Sequence, residues 1–540
     1  MYTPQQVVME INAVMEKGLP RRSVFKVKKK NTNATVKKRE EVEYIADRQT
    51  ITVSSRPQKV KFLVSGDCLM DFQNSFFQLS LSTNTFTAIL AEDICSIVKE
   101  LVIRLPNNSN TVIEHINEYN VLASMLSLVK PDNVKASEWY AGRQCAVNKR
   151  RTSTQKMARR FTNLVPGGSR LYTFRLDHSS ILGRLEQMFP AYILGGIQIE
   201  LTLAPAEDAF VYNPLMEYAS RQRDEKQKLV PCVFDCVDGM LLRHDEYWGE
   251  KAGKRKSKAK ADGVEQKVDS ETDGYLEVEA RGNALTSDSH RTEFISSLCE
   301  YYGRPLPQGQ SLEYVVSDFM FVVSAVYMDE GYTRALLSRA ESDKGLSIFL
   351  DQWSFNRLTN EGHSIQNFTM MDSVQNLKSV LFGCVEKSTL NRQDLYSYDT
   401  FKPLLSKWNF RVGARSWQVI PNGSQAENAR SYTETLLGKG MYDRGVPAPI
   451  RWQTWGRDQN VHSFSFQKVQ DESHSGINLT DGKLLRLEAF YARRDEVRIP
   501  RAEGYITIQK GCEPSACVIF FYMYSTRLLH VSNKGIAISS

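Results

Sequence analysis

Cysteine and histidine are both scarce in this sequence. Its 540 residues include nine cysteines and eight histidines, and they are scattered along the chain. Two close pairs, Cys232/Cys236 and Cys512/Cys517, lack a second Cys/His pair at the spacing of zinc ligands. An odd, sparse set of cysteines in apolar runs favours buried reduced thiols over a disulfide framework. The sequence therefore predicts no disulfide scaffold and no metal site.

Long apolar runs are missing as well. The longest, "ACVIFFYMY" at 516–524, is far short of the ~20 residues that a helix needs to cross a bilayer. The N-terminal segment has no basic start followed by an apolar core, the pattern of a secretory signal. We therefore expect no membrane span and synthesis in the cytosol.

Catalytic motifs are the third absence. The sequence has no Gly-x-Ser-x-Gly elbow, no His-Glu-x-x-His, no dinucleotide fingerprint and no phosphate-binding loop. The chain is therefore predicted not to be an enzyme and to bind no cofactor. One alternative stays open, because Trp452 and Trp455 in "RWQTWGR" (451–457) are compatible with stacking on a sugar as well as with anchoring a loop. That alternative is a two-domain β-sandwich that binds or hydrolyses carbohydrate.

Positive charge is unevenly distributed. The net charge of +7 is modest, but basic residues are concentrated near the N-terminus. They are Arg21, Arg22, Lys26, Lys28, Lys29, Lys30, Lys37, Lys38 and Arg39. Because Lys/Arg runs bind phosphate without a fixed geometry, we expect this arm to contact a polyanion such as DNA. A nucleic-acid-binding protein acting through the arm is a further alternative.

Strand-like alternation of apolar and polar residues dominates the pattern. Examples are "FFQLSLS" (76–82), "IVKELVIRL" (97–105) and "GGIQIELTL" (195–203). The length predicts two large domains or three moderate ones. Many short strands separated by Asn, Gly, Pro and Ser turns, without alternating long helices, indicate all-β sandwiches or barrels.

The stretch "TVIEHINEYNVLASMLSLV" (111–129) departs from this pattern. It predicts a strand over Thr111–Ile116 and then a helix whose apolar face includes Leu122, Leu126 and Val129. Between them lie Glu118, Tyr119 and Asn120. We expect these three residues to form a structural corner, where side chains satisfy backbone groups of a buried turn.

A long polar stretch covers residues 217–292. A connection of this length inside a compact domain is usually a functional insertion. An insertion with short elements of its own is favoured over a linker between domains.

Five segments, in this order and spacing, resemble one known family. They are "GDCLMDFQNSFFQLSLS" (66–82), "SIVKELVIRLPNNSNTVIEHINEYNVL" (96–122), "FPAYILGGIQIELTLAP" (189–205), "NLKSVLFGCVEKS" (376–388) and "SHSGINLTDGKLLRLEAF" (473–490). The segments resemble the double jelly-roll major capsid proteins of eukaryotic double-stranded DNA viruses. The resemblance is closest to those of Polinton-like viruses and virophages. In that resemblance the first segment opens the first barrel and the fourth is an early strand of the second.

The resemblance implies an architecture of two consecutive jelly-roll β-sandwiches, with short helices and a long charged insertion in loops. It divides the chain into a basic N-terminal arm (1–56), a first jelly roll (57–340) and a second (341–540). By position, 217–292 is the insertion that projects outward as a tower, where its charge keeps it soluble.

The resemblance also implies a structural function. Three copies form a pseudo-hexagonal homotrimer, and trimers tile an icosahedral shell around a double-stranded DNA genome. Expected partners are further copies of the chain, neighbouring capsomers, penton and minor capsid proteins, and genomic DNA through the arm. The expected location is the capsid of the virion, after synthesis and assembly in the host cytoplasm or nucleus.

Overall fold

The computed structural model describes 22 parts of the chain. These parts are residues 36–85, 87–89, 94–106, 111–128, 146–150, 157–161, 163–164, 166–176, 179–185, 188–212, 311–387, 390, 401, 404–417, 420–421, 455, 460–467, 476–480, 483–491, 498–501, 504–507 and 516–539. The predicted insertion 217–292 lies outside them.

The described residues up to Met328 contain fifteen strands. They are β1 (Val36–Ile45), β2 (Thr50–Val53), β3 (Gln58–Val64), β4 (Leu69–Thr83), β5 (Thr87–Ile89), β6 (Val98–Arg104), β7 (Val112–Asn117), β8 (Ala146–Arg150), β9 (Met157–Phe161), β10 (Asn163–Leu164), β11 (Ser169–Phe174), β12 (Phe189–Pro190), β13 (Ile197–Leu203), β14 (Phe210–Tyr212) and β15 (Tyr314–Met328). The helices among them are a 3₁₀ turn (Ile94–Ile97), α1 (Tyr119–Leu128), α2 (Ile181–Arg184), α3 (Ala191–Leu194) and α4 (Ala206–Ala209).

Helix α5 (Glu330–Ala340) leads into the second half. Its strands are β16 (Leu346–Asn360), β17 (Ile365–Met370), β18 (Asn376–Glu386), β19 (Leu405–Val412), β20 (Arg415–Ser416), β21 (Ile420–Pro421), β22 (Val461–Ser465), β23 (Leu485–Tyr491), β24 (Arg498–Arg501), β25 (Gly504–Thr507), β26 (Cys517–Ser532) and β27 (Gly535–Ser539). No helix in the described part of the chain has the length and apolar character needed to cross a bilayer.

The two halves share one strand order. In the first, the sheets β1-β15-β4-β11 and β3-β13-β6-β7 form an antiparallel sandwich; in the second, β16-β26-β18-β22 and β17-β23-β19-β20 do the same. Counted within each sandwich, one sheet has the order 1-8-3-6 and the other 2-7-4-5. With strands lettered B to I, these are the BIDG and CHEF sheets of a jelly roll. The same topology is therefore built twice.

Several shorter strands pair with these sheets or with one another. Strand β2 pairs with β15, β12 with β4, β21 with β19 and β27 with β26. Strands β10, β5 and β14 form a three-stranded sheet, and β8–β9 and β24–β25 are hairpins. The predicted boundary between residues 340 and 341 falls at the end of α5, which lies between strand I of the first sandwich and strand B of the second.

The BIDG sheet of the second sandwich is buried on both faces. Its inner face, with Phe382 and Phe521, packs inside the second sandwich. Its outer face, with Val518 and Phe520, joins a core cluster that continues into the first sandwich. This double burial explains why "ACVIFFYMY" is continuously apolar rather than alternating.

Helix α1 lies between the sandwiches and all ten of its residues are buried. It contains no charged residue, as expected for a helix that is covered on every side. If a Cβ were added to Gly383 on β18, it would lie 3.1 Å from the Cε of Met125 on α1. The helix of the first sandwich therefore packs directly on a strand of the second.

The predicted N-terminal arm must be corrected at its C-terminal end. Residues Val36–Ile45 form β1, which pairs with β15 along its length, and Thr50–Val53 pair with the same strand. An edge strand with one exposed face tolerates many charges, and those charges hide its alternation in the sequence. The segment 66–82 is likewise not the opening of the first barrel, because it contributes β4, strand D.

Candidate functional site

The strand-to-helix corner lies at the contact between the two sandwiches. Glu118 has a φ of 51°, the left-handed conformation that sharply turns the chain from β7 into α1. Its carbonyl oxygen accepts hydrogen bonds from the amide of Val121 (3.1 Å) and from the hydroxyl of Tyr522 on β26 (2.7 Å). The second bond ties the corner to the second sandwich. Burial raises the pKa of the Glu118 carboxyl above its usual range.

Tyr119 and Asn120 are both buried at the start of α1. The hydroxyl of Tyr119 lies 2.5 Å from the Oγ of Ser179, which in turn donates to the carbonyl of Leu176. The Oδ1 of Asn120 has no hydrogen-bond partner among the residues that the structure describes. The three predicted corner residues therefore lie together. The backbone hydrogen bonds described at the corner are accepted by the carbonyl oxygen of Glu118.

Glu114, on β7, is the buried carboxyl of this region and is 1% exposed. It accepts hydrogen bonds from the Oγ of Ser180 (2.6 Å) and the amide of Ile181 (3.1 Å), at the start of α2. It also accepts one from the backbone of Trp353 on β16, strand B of the second sandwich. Burial raises its pKa to about 7, although these donors and Arg184 oppose the rise. One carboxyl therefore connects both sandwiches.

A second polar cluster continues from α2 into the second sandwich. The guanidinium of Arg184 lies over the ring of Tyr524, 4.0 Å from its centroid. The Tyr524 hydroxyl donates to Asp351 (2.8 Å), which also accepts from Lys378 (2.8 Å) and Thr526 (2.6 Å). Burial by itself would raise the pKa of Asp351, but the charge and hydrogen bond of Lys378, with the two hydroxyls, lower it. The Lys378–Asp351 pair is therefore a partly buried, hydrogen-bonded ion pair, in which 8% of the Lys378 side chain and 28% of the Asp351 side chain are exposed.

Raising the pH should weaken the fold through Glu114. The carboxyl ionises near pH 4.5 in the unfolded state and near pH 7 in the folded state. The folded protein therefore keeps this proton to a higher pH than the unfolded chain does. Stability from this group is present below pH 4.5 and is lost as the pH rises to about 7, a loss of roughly 3 kcal/mol. Glu114→Gln removes the titration. Between pH 5 and pH 8 the free energy of unfolding of the wild type, measured in denaturant, should therefore fall by roughly 2.5 kcal/mol more than that of Glu114→Gln. Equal losses in both proteins would contradict the assignment.

Only three of the nine predicted polyanion contacts lie in the part of the chain that the structure describes. Arg21, Arg22, Lys26, Lys28, Lys29 and Lys30 lie outside the described residues. Lys37, Lys38 and Arg39 lie on β1, and each pairs with a carboxylate: Glu330 (3.6 Å), Glu40 and Asp71 (3.0 Å), respectively. These last three residues belong to the first sandwich rather than to a free arm.

One of the two tryptophans that motivated the carbohydrate alternative, Trp455, is buried. Trp455 is 0% exposed, and its Nε1 donates to the carbonyl of Val461 (2.8 Å). It is a loop anchor rather than a stacking platform, while Trp452 lies outside the described residues. Cys517 is also buried, as a free thiol beside Cys384, and Cys232, Cys236 and Cys512 lie outside the described residues.

The structure can be compared with known proteins. No protein-family model matches the chain, and no curated protein matches it in sequence. The major capsid protein of Faustovirus is similar in structure, with 7% identity and a TM-score of 0.53, over 92% of this chain and 90% of that one. The PBCV-1 virus capsid gives 7% identity, coverages of 93% and 96%, and a TM-score of 0.49. The Sputnik virophage structure gives 9% identity, coverages of 94% and 89%, and a TM-score of 0.46. Together with the strand order of both sandwiches, the Faustovirus match shows that the chain has the double jelly-roll fold.

Proposed function

We propose that the protein is a viral major capsid protein. Its copies form pseudo-hexagonal homotrimers, and the trimers tile an icosahedral shell around a double-stranded DNA genome. The observation that carries the proposal is the tandem of two jelly rolls of identical strand order, a fold shared with the Faustovirus major capsid protein over nine-tenths of the chain. Because a fold alone does not fix a function, the assembly itself must be tested.

The physical properties of the chain suit a tile. Two sandwiches of one topology, joined through a shared core, give three copies six similar sides. The buried helix α1 and the hydrogen bonds of Glu114 and Tyr522 hold the two sandwiches together. A head-to-tail contact that closes after three copies then produces a ring rather than a filament.

The mass of the purified protein tests this proposal. The chain has a mass of 61.6 kDa, so a trimer is three times that mass, about 185 kDa. We expect light scattering after size-exclusion chromatography to give the trimer at micromolar concentration. Negative-stain images should show a hexagonal outline. If the purified protein were monomeric at these concentrations, the proposal would be wrong.

The partners and location follow as parts of the same proposal. The protein resides in the capsid of the virion, where it contacts neighbouring capsomers and penton and minor capsid proteins. Residues 1–35 form the basic arm and contact the genome through phosphate groups. The first jelly roll extends to about residue 340 and the second from about residue 341.

Deletion of residues 1–35 tests the arm. We expect the truncated protein to keep its oligomeric mass and to lose most of its salt-dependent affinity for double-stranded DNA, because the Lys/Arg run releases counterions on binding. The deletion stops at residue 35 because β1 begins at Val36. The control variant Lys37→Ala removes a charge that already pairs with Glu330 and should leave DNA affinity almost unchanged. Undiminished, equally salt-dependent binding by the truncated protein would exclude the arm.

Residues 217–292 are proposed as an outward tower between strands H and I of the first sandwich. Their replacement by a short Gly/Ser linker should leave the trimer mass unchanged, because exposed insertions contribute little to a core. Images of the shortened trimer should lose three protrusions. Loss of the trimer would instead assign the insertion to the contact between copies.

A further inference from the structure

The outer face of the CHEF sheet in the second sandwich carries more positive than negative charge. Directly paired residues on neighbouring antiparallel strands share a face. The inner face, with Leu487 and Phe410, packs in the core of the second sandwich, and three consecutive rows can be followed on the opposite side. They are Ile365–Phe490–Lys407, Asn367–Glu488–Asn409 and Thr369–Arg486–Arg411–Ser416. With three cations and one carboxylate, these ten residues have a net charge of +2.

Two arginines are direct neighbours in the third row. Arg411 on β19 lies opposite Arg486 on β23, and like charges in this position destabilise a pair of strands. The Nε of Arg411 donates to a carboxylate oxygen of Glu488 (2.7 Å). The exposed side chain of Arg486, in contrast, makes no ion pair or hydrogen bond with any residue that the structure describes. The row therefore contains one guanidinium whose charge the described residues do not neutralise.

The side chains beside Arg411 fix its orientation. Glu488, whose side chain is 15% exposed, accepts from the Nε of Arg411 and from the Nδ2 of Asn409 (3.1 Å). The same Nδ2 donates to the Oγ of Ser416 (2.9 Å). Because the ion pair uses one of the five N–H groups of the guanidinium, its two terminal nitrogens are available to a ligand. Thr369 and Ser416 are exposed and add a hydroxyl at each end of the row.

A buried amide in the middle row needs a hydrogen-bond donor. Asn409 is 3% exposed, and its Oδ1 accepts no hydrogen bond from the residues that the structure describes, which is costly for a buried acceptor. A ligand that suits the face therefore supplies an oxyanion to the arginines and donors to the amide and the carboxylate. A sulfated sugar has both, because its sulfate oxygens accept and its hydroxyls donate. The backbone of DNA offers acceptors only.

We infer that this face binds a sulfated polysaccharide, with Arg411 and Arg486 holding one sulfate group between them. Planar guanidinium forks suit the oxygens of such a group better than an ammonium does. Lys407 lies four residues from Arg411 on β19, about 13 Å away along the strand, and its Nζ is 4.5 Å from the centroid of the Phe490 ring. It meets a further anionic group of the same polysaccharide. The site does not require the proposed assembly, because all its residues belong to one chain.

The variant Arg486→Gln tests the site, with Arg175→Gln as the matched control. Arg175 is an exposed arginine of the first sandwich, so each variant loses one positive charge, and the basic arm is common to all the proteins. The probe is a fluorescent chondroitin sulfate hexasaccharide, compared with its desulfated form and with duplex DNA. Fluorescence anisotropy at physiological salt should show that Arg486→Gln binds the sulfated probe roughly tenfold more weakly than the wild type. Arg175→Gln should change the affinity by less than about twofold, because distant exposed charges are screened.

Denaturant unfolding separates lost binding from lost folding. Arg486→Gln should unfold at the same or a higher denaturant concentration than the wild type, because the change removes a like-charge pair. The site would be overturned if the wild type bound the sulfated and desulfated probes equally, or if Arg486→Gln lost no more affinity than Arg175→Gln. An equal loss for duplex DNA would also overturn it, because the face would then recognise phosphate. The mass of the assembly, which tests the proposed capsid function, is independent of each of these outcomes.

Discussion

Replacing Met125 by Ala should destabilise both sandwiches together. Met125 is completely buried on α1, and its methyl group lies against Gly383 of the second sandwich. Truncating a buried Met removes its transfer free energy and leaves a cavity, so we expect the free energy of unfolding to fall by about 2–5 kcal/mol. Because one core cluster runs from the first sandwich through α1 to Phe520, the loss should appear in one common transition.

Hydrogen exchange followed by mass spectrometry measures this directly. Peptides from β4 and β15 and peptides from β18 and β26 should lose protection to the same extent in Met125→Ala. The control is Met371→Ala, because Met371 is 77% exposed and its truncation should change stability by less than about 0.5 kcal/mol. If only the first-sandwich peptides lost protection, the two sandwiches would be separate folding units that merely touch.

Much of the fold could be predicted from the sequence, because apolar and polar residues alternate along sandwich strands that have one solvent-exposed face. The prediction of an all-β chain of two jelly rolls is confirmed by the strand order and by the Faustovirus match. The run at 195–203 became β13, and the stretch at 111–129 became β7 and α1. Strand β1 was missed because its Lys, Arg and Glu residues lie on an exposed edge, where charge is tolerated and the alternation is hidden.

The contact between the sandwiches was harder to predict. Helix α1 was expected to have one apolar face, whereas all ten of its residues are buried. The absence of charge over "YNVLASMLSL" was a usable signal, because a helix that is apolar all round needs cover on every side. Nothing in the sequence near Glu114 or Glu118 identifies Trp353 and Tyr522 as their partners. These contacts join residues hundreds of positions apart, and no local pattern encodes such a pairing.

A second large loss of stability is expected from Lys378→Met. The Lys378 side chain is 8% exposed and donates to both carboxylate oxygens of Asp351, at 2.8 and 2.9 Å. Removing the ammonium leaves a mostly buried carboxylate with only the hydroxyls of Tyr524 and Thr526. Breaking a fully buried pair costs about 3–5 kcal/mol, because an uncompensated charge remains. Since 28% of the Asp351 side chain is exposed, we expect a loss at the lower end of that range. Denaturant unfolding at pH 7 measures the loss.

Two further variants separate charge from packing. In Lys378→Met/Asp351→Asn the uncompensated charge is gone, so most of the lost free energy of unfolding should return. Lys387→Met removes an ion pair with Glu361 of the same length, 2.8 Å, but with both side chains more than half exposed. That pair should be worth less than about 1 kcal/mol.

The pH dependence gives the decisive comparison. The pKa of Asp351 is lowered in the folded wild type, so its contribution is present at neutral pH and is lost as the pH falls through the acid range. In Lys378→Met the carboxyl can take up a proton as the pH falls, and the deficit relative to wild type should therefore shrink towards pH 4. The deficit could instead stay constant between pH 7 and pH 4. The cause of the destabilisation would then be the lost packing of the Lys378 side chain, and not the uncompensated charge of Asp351, in the sheet on which α1 packs.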